Sequence, residues 1–234
     1  MPSILARLEG IALDLLFPRW CVGCGKEGAL VCPSCLGSAP RLTPPLCPRC
    51  GLPQPGSMLC PGCTGSEQSE LDGIRSPFRF EGVIREAVHQ LKYRNLRALA
   101  EPMAHQLSYY LTENPLPVEV LVPVPLHPRR LKERGYNQSR LLAERLHRAT
   151  GLPLVEDCLV RERPTPPQAR TTALSERKTN VRGAFRCRDE RLKDRRVLLI
   201  DDVATSGATL GACATALKAG RASSVWGLVL AREI

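Results

Sequence analysis

The sequence predicts an α/β protein in which a parallel sheet flanked by helices follows a small, cysteine-rich module. Eight of the eleven cysteines lie between residues 21 and 63. Beyond residue 71, short apolar segments alternate with segments of helical period, a pattern typical of a parallel sheet that is covered on both faces. The length of 234 residues suits this division, and we place the module at 1–66 and the larger domain at 71–234.

Apolar periodicity and capping residues predict the elements of the larger domain. In chain order they are a strand over 74–80 that Pro77 interrupts, helices over 83–93 and 96–111, a strand over 118–124, a helix from Asn137 to about Thr150, a strand over 197–200, a helix over 208–219 closed by Gly220, and a strand over 223–231. The proline places the first strand at an edge of the sheet, because proline cannot donate to a neighbouring strand. Residues 161–182 have no apolar period, which predicts a long loop of the kind that is often functional.

The clustered cysteines form four Cys-x-x-Cys pairs, a spacing in which a tight turn presents two thiolates to one metal ion. Four pairs predict two sites of four sulfurs each; consecutive pairs sharing a site is the simplest arrangement, and interleaved pairs are the alternative. The candidate ligands are Cys21, Cys24, Cys32, Cys35, Cys47, Cys50, Cys60 and Cys63. Two zinc ions are expected, since the spacers within each half are typical of a zinc ribbon, whereas an iron–sulfur cluster or a disulfide framework would use the same residues. A structural or docking role is favoured for this module.

The net charge of +10 belongs to the larger domain, because Lys/Arg and Asp/Glu balance within residues 1–70. A basic domain attracts nucleic acid or a small polyphosphate, although solubility alone also explains such a charge. Aromatic residues make up only 4% of the chain, so a contact with DNA would be made mainly through phosphates. No segment has the apolar length of a membrane span, and residues 4–17 show no signal-peptide cleavage pattern, which predicts a helix packed on the body of a cytoplasmic protein.

The segment 197–210 carries the most specific functional pattern. A buried strand leads to Asp201 and Asp202, and a hydroxyl-rich turn then opens a helix whose first N–H groups can bind an anion. The turn lacks the Gly-x4-Gly-Lys pattern of a nucleoside-triphosphate site, so it suits a monophosphate. The carboxylates can accept hydrogen bonds from ribose hydroxyls, directly or through Mg²⁺. A ribose 5-phosphate fits both halves, and the alternative is an ordinary strand–turn–helix. The candidate phosphate ligands are Ala204, Thr205, Ser206, Gly207, Ala208 and Thr209.

This segment resembles the phosphoribosyl pyrophosphate (PRPP) motif of type I phosphoribosyltransferases. The four cysteine pairs, Pro123-Val-Pro, Arg134-Gly-Tyr-Asn-Gln138, Arg177-Lys-Thr-Asn180 and the PRPP motif follow one another in an order that resembles the ComF family of competence-related proteins. The resemblance implies a type I phosphoribosyltransferase-like sheet after a double zinc ribbon, with Asp201 and Asp202 as the catalytic pair that holds the ribose hydroxyls. It also implies that the pyrophosphate is bound by His127, Arg129 and Arg130, with Arg177 and Lys178 closing over it.

The ComF family is associated with the uptake of transforming DNA, which suggests two functions. The first is a cytoplasmic factor that binds PRPP or a related ribose 5-phosphate with Mg²⁺ and assists the uptake of single-stranded DNA, reaching the inner membrane only through DNA-uptake proteins. The second is a phosphoribosyltransferase that transfers the phosphoribosyl group of PRPP to an unidentified base or amine and releases pyrophosphate. A zinc-bearing scaffold with a relict phosphate site is a third reading, which the intact acidic pair disfavours. No segment dedicated to recognising a base is identifiable.

Overall fold

The computed structural model describes residues 18–56, 58–64, 70–162 and 183–234. The predicted helix over 4–17 lies outside these ranges, as do Arg177 and Lys178. The strands within them are β1 (Gly73–Arg75), β2 (Phe78–Arg79), β3 (Val120–Pro123), β4 (Leu159–Arg161), β5 (Phe185–Cys187), β6 (Arg196–Ala204) and β7 (Ser224–Arg232). The helices are α1 (Pro33–Gly37), α2 (Pro61–Thr64), α3 (Gly82–Tyr93), α4 (Ala100–Glu113), α5 (Pro128–Arg134), α6 (Gln138–Thr150) and α7 (Ala208–Ala219), with a 3-10 turn at Arg97–Leu99 before α4.

Five of these strands form a parallel sheet, as the alternation of apolar and helical segments predicts. The order is β1–β7–β6–β3, and β2 pairs with β7 beyond β1. Successive residues of β6 point to opposite faces, so that Val197 and Leu199 pack with α7, whereas Leu198 and Ile200 pack with α3, α4 and α6. The sheet therefore carries one apolar core on each face.

The first strand breaks at the predicted proline. β1 and β2 are separated by Ser76 and Pro77, and β1 lies at the edge of the sheet. The buried Ser76 hydroxyl donates to the carbonyl oxygen of Leu230 at 3.1 Å, which holds the break against β7. The expectation of an interrupted edge strand is confirmed.

Three local features differ from the sequence expectations. β6 does not end at Ile200 but continues to Ala204, because β7 pairs with it as far as Ala204 opposite Arg232. The pairing of β6 with β3 ends at Ile200, so the acidic pair lies inside a strand that has lost one neighbour. The residues after β3 form α5 rather than a simple turn, since His127 caps a helix that Pro128 begins. The hairpin of β4 and β5, which packs against α7, has no counterpart among the predicted elements.

The cysteine-rich residues 18–64 form turns and two short helices with few buried apolar side chains. These are Cys21, Ala39, Leu42 and Cys47. Gly25 and Gly51 each follow a cysteine pair and have φ of +69° and +71°, the left-handed conformation that such turns require. Because this core is so small, bound metal is the expected source of its stability.

The module extends the edge of the sheet through backbone hydrogen bonds. The Arg79 amide donates to the carbonyl oxygen of Pro40 at 2.9 Å, and the Leu42 amide donates to that of Pro77 at 3.1 Å. The Ile74 amide donates to the carbonyl oxygen of Arg49 at 2.8 Å. Residues 40–49 therefore pack directly on β1 and β2.

Candidate functional site

The eight cysteines of the module form two groups of four. In each group the sulfur atoms all lie within 4.8 Å of one another, and the groups are Cys21, Cys24, Cys32 and Cys35, then Cys47, Cys50, Cys60 and Cys63. Consecutive pairs thus share a site, and interleaved pairing is excluded. We call the second group the Cys47 cluster.

The spacing of the sulfurs fits zinc. The Sγ atoms of Cys24 and Cys32 are 3.7 Å apart, and those of Cys50 and Cys60 are 3.6 Å apart. A tetrahedron with Zn–S bonds of about 2.3 Å has edges of about 3.8 Å. All eight cysteines are free thiols, so the disulfide framework is not formed.

At one cysteine of each group, backbone N–H donors favour the thiolate that a metal needs. Burial disfavours charge on Cys47, but backbone N–H donors, first that of Cys60, outweigh it and lower the pKa of Cys47 to about 6. The same balance, with the Cys32 amide as first donor, lowers the pKa of Cys21 to about 6. Four thiolates at each site would hold Zn²⁺, which folds the turns around itself.

The acidic pair lies where β6 extends beyond β3, and its two carboxylates have different surroundings. Asp202 is 2% exposed, and its Oδ2 lies 2.9 Å from Nζ of Lys92, which is at the end of α3. Asp201 is less buried, and its Oδ1 accepts hydrogen bonds from the Ser139 hydroxyl at 2.6 Å and from the Asp202 amide at 2.9 Å. Asp201 is therefore the member of the pair that is open to a ligand.

Charge at the pair is tightly balanced. Burial, followed by repulsion from Asp202, raises the pKa of Asp201 to about 7, while the Ser139 hydrogen bond and Lys92 act in the opposite direction. Burial lowers the pKa of Lys92, but attraction to Asp202 exceeds this, so the pKa of Lys92 is raised and the ammonium is retained. A cation or hydroxyl donor beside Asp201 would favour its ionised form.

The segment 134–139 assembles this site from three elements. The Tyr136 hydroxyl donates to the carbonyl oxygen of Leu91 at the end of α3, next to Lys92. The Asn137 side chain donates to the carbonyl oxygen of Val124 after β3 at 2.9 Å, while its Oδ1 accepts from the Ser139 amide at 3.0 Å as the predicted N-cap. Ser139 then reaches Asp201, so this short segment fixes α3, β3 and β6 relative to one another.

The turn after β6 opens α7 as predicted. Gly207 is the N-cap residue of α7 with φ of +77°, and the Ser206 hydroxyl accepts from the Ala208 amide at 3.4 Å. A small depression at the helix start is lined by Asp201, Val203, Ala204, Thr205, Gly207, Ala208, Thr209 and Leu210. The carboxylate of Asp201 and the first turn of α7 thus face the same space, beside the positive end of the helix dipole.

A larger cavity of about 450 Å³ lies beside the acidic pair. It is lined by Lys92, Tyr93, Asn95, Arg130, Glu133, Arg134 and Tyr136. Of the three residues predicted to bind pyrophosphate after β3, Arg130 lines this cavity. Arg129 is exposed and pairs with Glu133 at 3.0 Å, and His127 accepts from the Arg129 amide as the N-cap of α5.

Sequence reasoning missed Lys92 and Ser139. Lys92 lies four residues after the buried Val88, so helical spacing places it beside the buried face of α3, and this is the signal that could have identified it. Ser139 gave no comparable signal, because its role depends on the packing of α6 against β6. The hairpin also brings Arg161 towards the site: burial, followed by repulsion from Arg130, lowers the pKa of Arg161.

Comparison with known proteins agrees with this architecture. Residues 12–64 match the family model described as a double zinc ribbon domain. Among relatives, competence protein ComFC of Bacillus subtilis (strain 168) is 31% identical over 215 residues, which are 89% of this chain and 86% of that protein. The DNA utilization protein YhgH of Escherichia coli (strain K12) is 30% identical over 230 residues, 94% of this chain and 100% of that protein.

Among solved structures, a glutamine phosphoribosylpyrophosphate amidotransferase from B. subtilis in complex with ADP and GMP aligns with a TM-score of 0.39 at 19% identity, over 56% of this chain and 26% of that one. Among the described helices, none combines the length and apolarity that a membrane span requires. The match to ComFC over most of both chains, together with the double zinc ribbon, shows that the chain belongs to the ComF family of competence-related proteins.

Proposed function

We propose that the chain binds the ribose 5-phosphate group of PRPP or a related ligand with Mg²⁺, and that it uses this site in assisting the uptake of transforming single-stranded DNA. The observation that carries the proposal is the placement of Asp201 beside the first turn of α7. A carboxylate and a helix N-terminus that face one space suit a ligand with hydroxyls at one end and a phosphate at the other. We also propose that residues 1–66 are the zinc ribbon module and that residues 71–234 are the domain that binds the ligand.

The two carboxylates have separate roles in this proposal. Asp202 is buried and paired with Lys92, so it positions that lysine rather than the ligand. Asp201 accepts the ribose hydroxyls or binds Mg²⁺, whose preferred ligands are oxygen atoms. When bound, Mg²⁺ would neutralise charge on the pyrophosphate. The residues from Ala204 to Thr209 surround the 5-phosphate through backbone N–H groups and hydroxyls.

The cavity beside the pair provides positive charge for the pyrophosphate. Lys92, Arg130 and Arg134 line it together with a single acidic side chain, Glu133. A pyrophosphate is dense in negative charge, and guanidinium groups bind phosphate oxygens through paired donors. Arg177 and Lys178 complete this set in the proposal.

Calorimetric titration with PRPP and Mg²⁺ tests the site. Wild type should bind saturably, and Asp201→Asn should weaken binding at least tenfold because a neutral amide cannot offset the cation or accept from the ribose hydroxyls as strongly. Asp194→Asn is the matched control, because Asp194 is exposed and lies just before β6 begins, at the end of the strand away from Asp201. Its φ of +59° is one that asparagine also tolerates. No binding by a wild-type chain that carries two zinc ions would refute the proposal.

The proposed role in DNA uptake is supported by the relatives, which are named as a competence protein and as DNA utilization proteins. It is also supported by the basic surface around the cavity, where Arg94, Arg97 and Lys132 are exposed in addition to the cavity arginines. Such a surface binds a DNA backbone by releasing counterions. The proposed location is the cytoplasm, with contact to the inner membrane only through DNA-uptake proteins.

Fluorescence anisotropy of a labelled single strand at several salt concentrations tests this part. If three or four phosphates are bound, the logarithm of the association constant should fall with the logarithm of salt concentration with a slope of about −2 to −3. Arg97→Gln with Lys132→Gln should flatten the slope by about 1.4, whereas Arg221→Gln, an exposed arginine after α7, should not change it. Absence of salt-sensitive binding would remove DNA as a direct ligand.

A second candidate, a phosphoribosyltransferase, is favoured by Tyr93. This side chain is 66% exposed at the cavity, and the Arg134 guanidinium lies 5.7 Å from the centroid of its ring. An exposed ring beside a pyrophosphate site can stack on an acceptor base. Release of pyrophosphate from PRPP in the presence of candidate bases would establish this activity, and its dependence on Tyr93 would be tested with Tyr93→Ala. Binding of PRPP without release for any base would favour the first function.

A further inference from the structure

Arg232, near the end of β7, is a buried charge that the proposed site does not use. Its side chain is 1% exposed, and among the described residues its Nε and Nη1 have no hydrogen-bond partner. Burying a guanidinium without compensation is strongly unfavourable. A group that offsets the charge of Arg232 is therefore expected next to it.

The thiols of the Cys47 cluster contribute to this offset. Burial lowers the pKa of Arg232, and the groups that oppose this effect are the thiols of Cys50, Cys63, Cys60 and Cys47. A zinc ion bound to four thiolates has a net charge of about −2, so the loaded cluster would stabilise a guanidinium beside it. The first cysteine group has different contacts, because a Cβ atom on its Gly23 would lie 2.8 Å from Val83 at the start of α3.

The other side of Arg232 faces the phosphate turn. The Cα atom of Arg232 pairs with that of Ala204, the last residue of β6, and the Glu233 amide donates to the carbonyl oxygen of Ala204 at 3.1 Å. A Cβ atom on Gly207 would lie 3.9 Å from Nη1 of Arg232. The guanidinium thus lies behind the turn that leads into α7.

A second connection between the Cys47 cluster and this turn runs through Ile74. The Ile74 amide is bound by the carbonyl oxygen of Arg49, and a Cβ atom on Gly51 would lie only 2.3 Å from the Ile74 carbonyl oxygen. The Cδ1 atom at the end of the Ile74 side chain would lie 2.7 Å from a Cβ atom on Gly207. Arg49 and Gly51, which flank Cys50, therefore contact Ile74, and Ile74 packs on the turn.

We propose that Ile74 and Arg232 are positioning residues that support the phosphate turn from behind, and that metal at the Cys47 cluster orders the residues from Thr205 to Gly211 through the contacts of Arg49 and Gly51 with Ile74. The backbone of Arg49 and Gly51 contacts Ile74, and Ile74 and the Arg232 guanidinium both lie against Gly207. The first cysteine group has no such role, because its contacts lead to α3. The effect on ligand affinity rests on the proposed function, but the order of the turn does not.

Hydrogen–deuterium exchange on the full, zinc-loaded chain without ligand tests the coupling directly. Arg232→Met should raise the exchange rate of amides between 205 and 211 about tenfold, and Arg232→Lys, which keeps the charge, should change it less than threefold. Arg195→Met, an exposed arginine at the opposite end of the sheet, is the control. Unchanged exchange in a folded Arg232→Met chain would overturn the proposal.

A pair of cysteine variants provides a second test that does not require Arg232 variants to fold. Cys63→Ser removes a ligand of the Cys47 cluster, and Cys35→Ser removes the equivalent ligand of the first group. Each chain should retain one zinc ion by native mass spectrometry, and only Cys63→Ser should raise exchange between 205 and 211. Equal effects of the two variants, or an effect of Cys35→Ser alone, would refute the coupling.

Titration of the same variants with PRPP and Mg²⁺ separates the two proposals. Affinity should fall about tenfold in Arg232→Met and in Cys63→Ser and remain unchanged in Cys35→Ser. If wild type does not bind PRPP, the proposed function fails, while the exchange data still decide whether metal at the Cys47 cluster orders the turn.

Discussion

Replacing Asp201 with asparagine should stabilise the ligand-free chain at high pH while it removes the ligand site. Folding raises the pKa of Asp201 from its ordinary value of 3.8 to about 7. The native state therefore holds this proton more tightly than the unfolded chain does, and the free energy of unfolding falls as the pH rises from about 4 to about 7. Asparagine cannot ionise, so the variant lacks this loss. Its Oδ1 can still accept the hydrogen bonds from the Ser139 hydroxyl and the Asp202 amide.

The magnitude follows from the size of the shift. A change from 3.8 to about 7 is a little over three pH units, and at about 1.4 kcal/mol per unit this gives a ceiling of about 4 kcal/mol. Asp201 is only partly buried, and water that reaches the carboxylate reduces the effect to about 2 kcal/mol. For a chain of this length, about 2 kcal/mol corresponds to a rise in Tm of about 6 °C.

Thermal unfolding of wild type and Asp201→Asn at pH 5 and pH 8 measures this effect. The variant should melt about 6 °C above wild type at pH 8, and the difference should be smaller at pH 5, where much of Asp201 in wild type is already protonated. Asp194→Asn, at an exposed position before β6, is the matched control. A difference that is the same at both pH values, or an asparagine variant that is less stable at pH 8, would show that Asp201 is not held in a site that opposes its ionisation.

Three further predictions concern the surroundings of the pair. Lys92→Met leaves the buried Asp202 carboxylate without its cation, so it should lower the free energy of unfolding in urea by about 3 kcal/mol. The control Lys132→Met, on the exposed face of α5, should change this free energy by less than about 0.5 kcal/mol. Equal effects of the two variants would contradict the ion pair. Gly207→Ala places a Cβ atom 2.7 Å from Ile74 at a residue with positive φ. The variant should therefore bind PRPP about tenfold more weakly, with little change in zinc content. Unaltered affinity would show that the turn does not contact the phosphate. Removal of zinc by a chelator should make residues 18–64 sensitive to protease, because this module has only a small apolar core. The circular dichroism signal of the sheet should be retained. Full protease resistance of the metal-free module would contradict this reasoning.

Much of the fold could be predicted from the sequence because its signals are local. Apolar strands, amphipathic helices, the N-cap at Asn137 and the proline break in the edge strand each depend on a few neighbouring residues. The end of β6 could not be predicted in this way, because Asp201 and Asp202 are polar and remain in the strand only through pairing with β7. The hairpin of β4 and β5 escaped for a similar reason, since its strands are short and their partners are distant in sequence.

In the candidate site, too, motifs of neighbouring residues could be predicted, whereas residues brought together only by packing could not. The cysteine groups, the acidic pair and the turn around Gly207 are motifs of neighbouring residues, so their spacing predicts them as candidates, and the two cysteine groups form as expected. Lys92 and Ser139 precede the acidic pair by more than 60 residues, and only packing brings them to Asp202 and Asp201. Arg232 shows the limit most clearly, because a single arginine at the end of a strand has no pattern that announces burial.

The hydrogen bonds between residues 40–49 and strands β1 and β2 also cover the outer edge of the sheet. An unpaired strand at the edge of a parallel sheet offers free N–H and C=O groups on which a second molecule can add a strand. The module occupies these groups on Ile74 and Arg79, so it acts as a cap against edge-to-edge aggregation. A fragment that begins at residue 71 would expose this edge, and we expect it to self-associate even if its sheet folds. The cysteine-rich module is then required for the colloidal stability of the sheet, whatever else it binds.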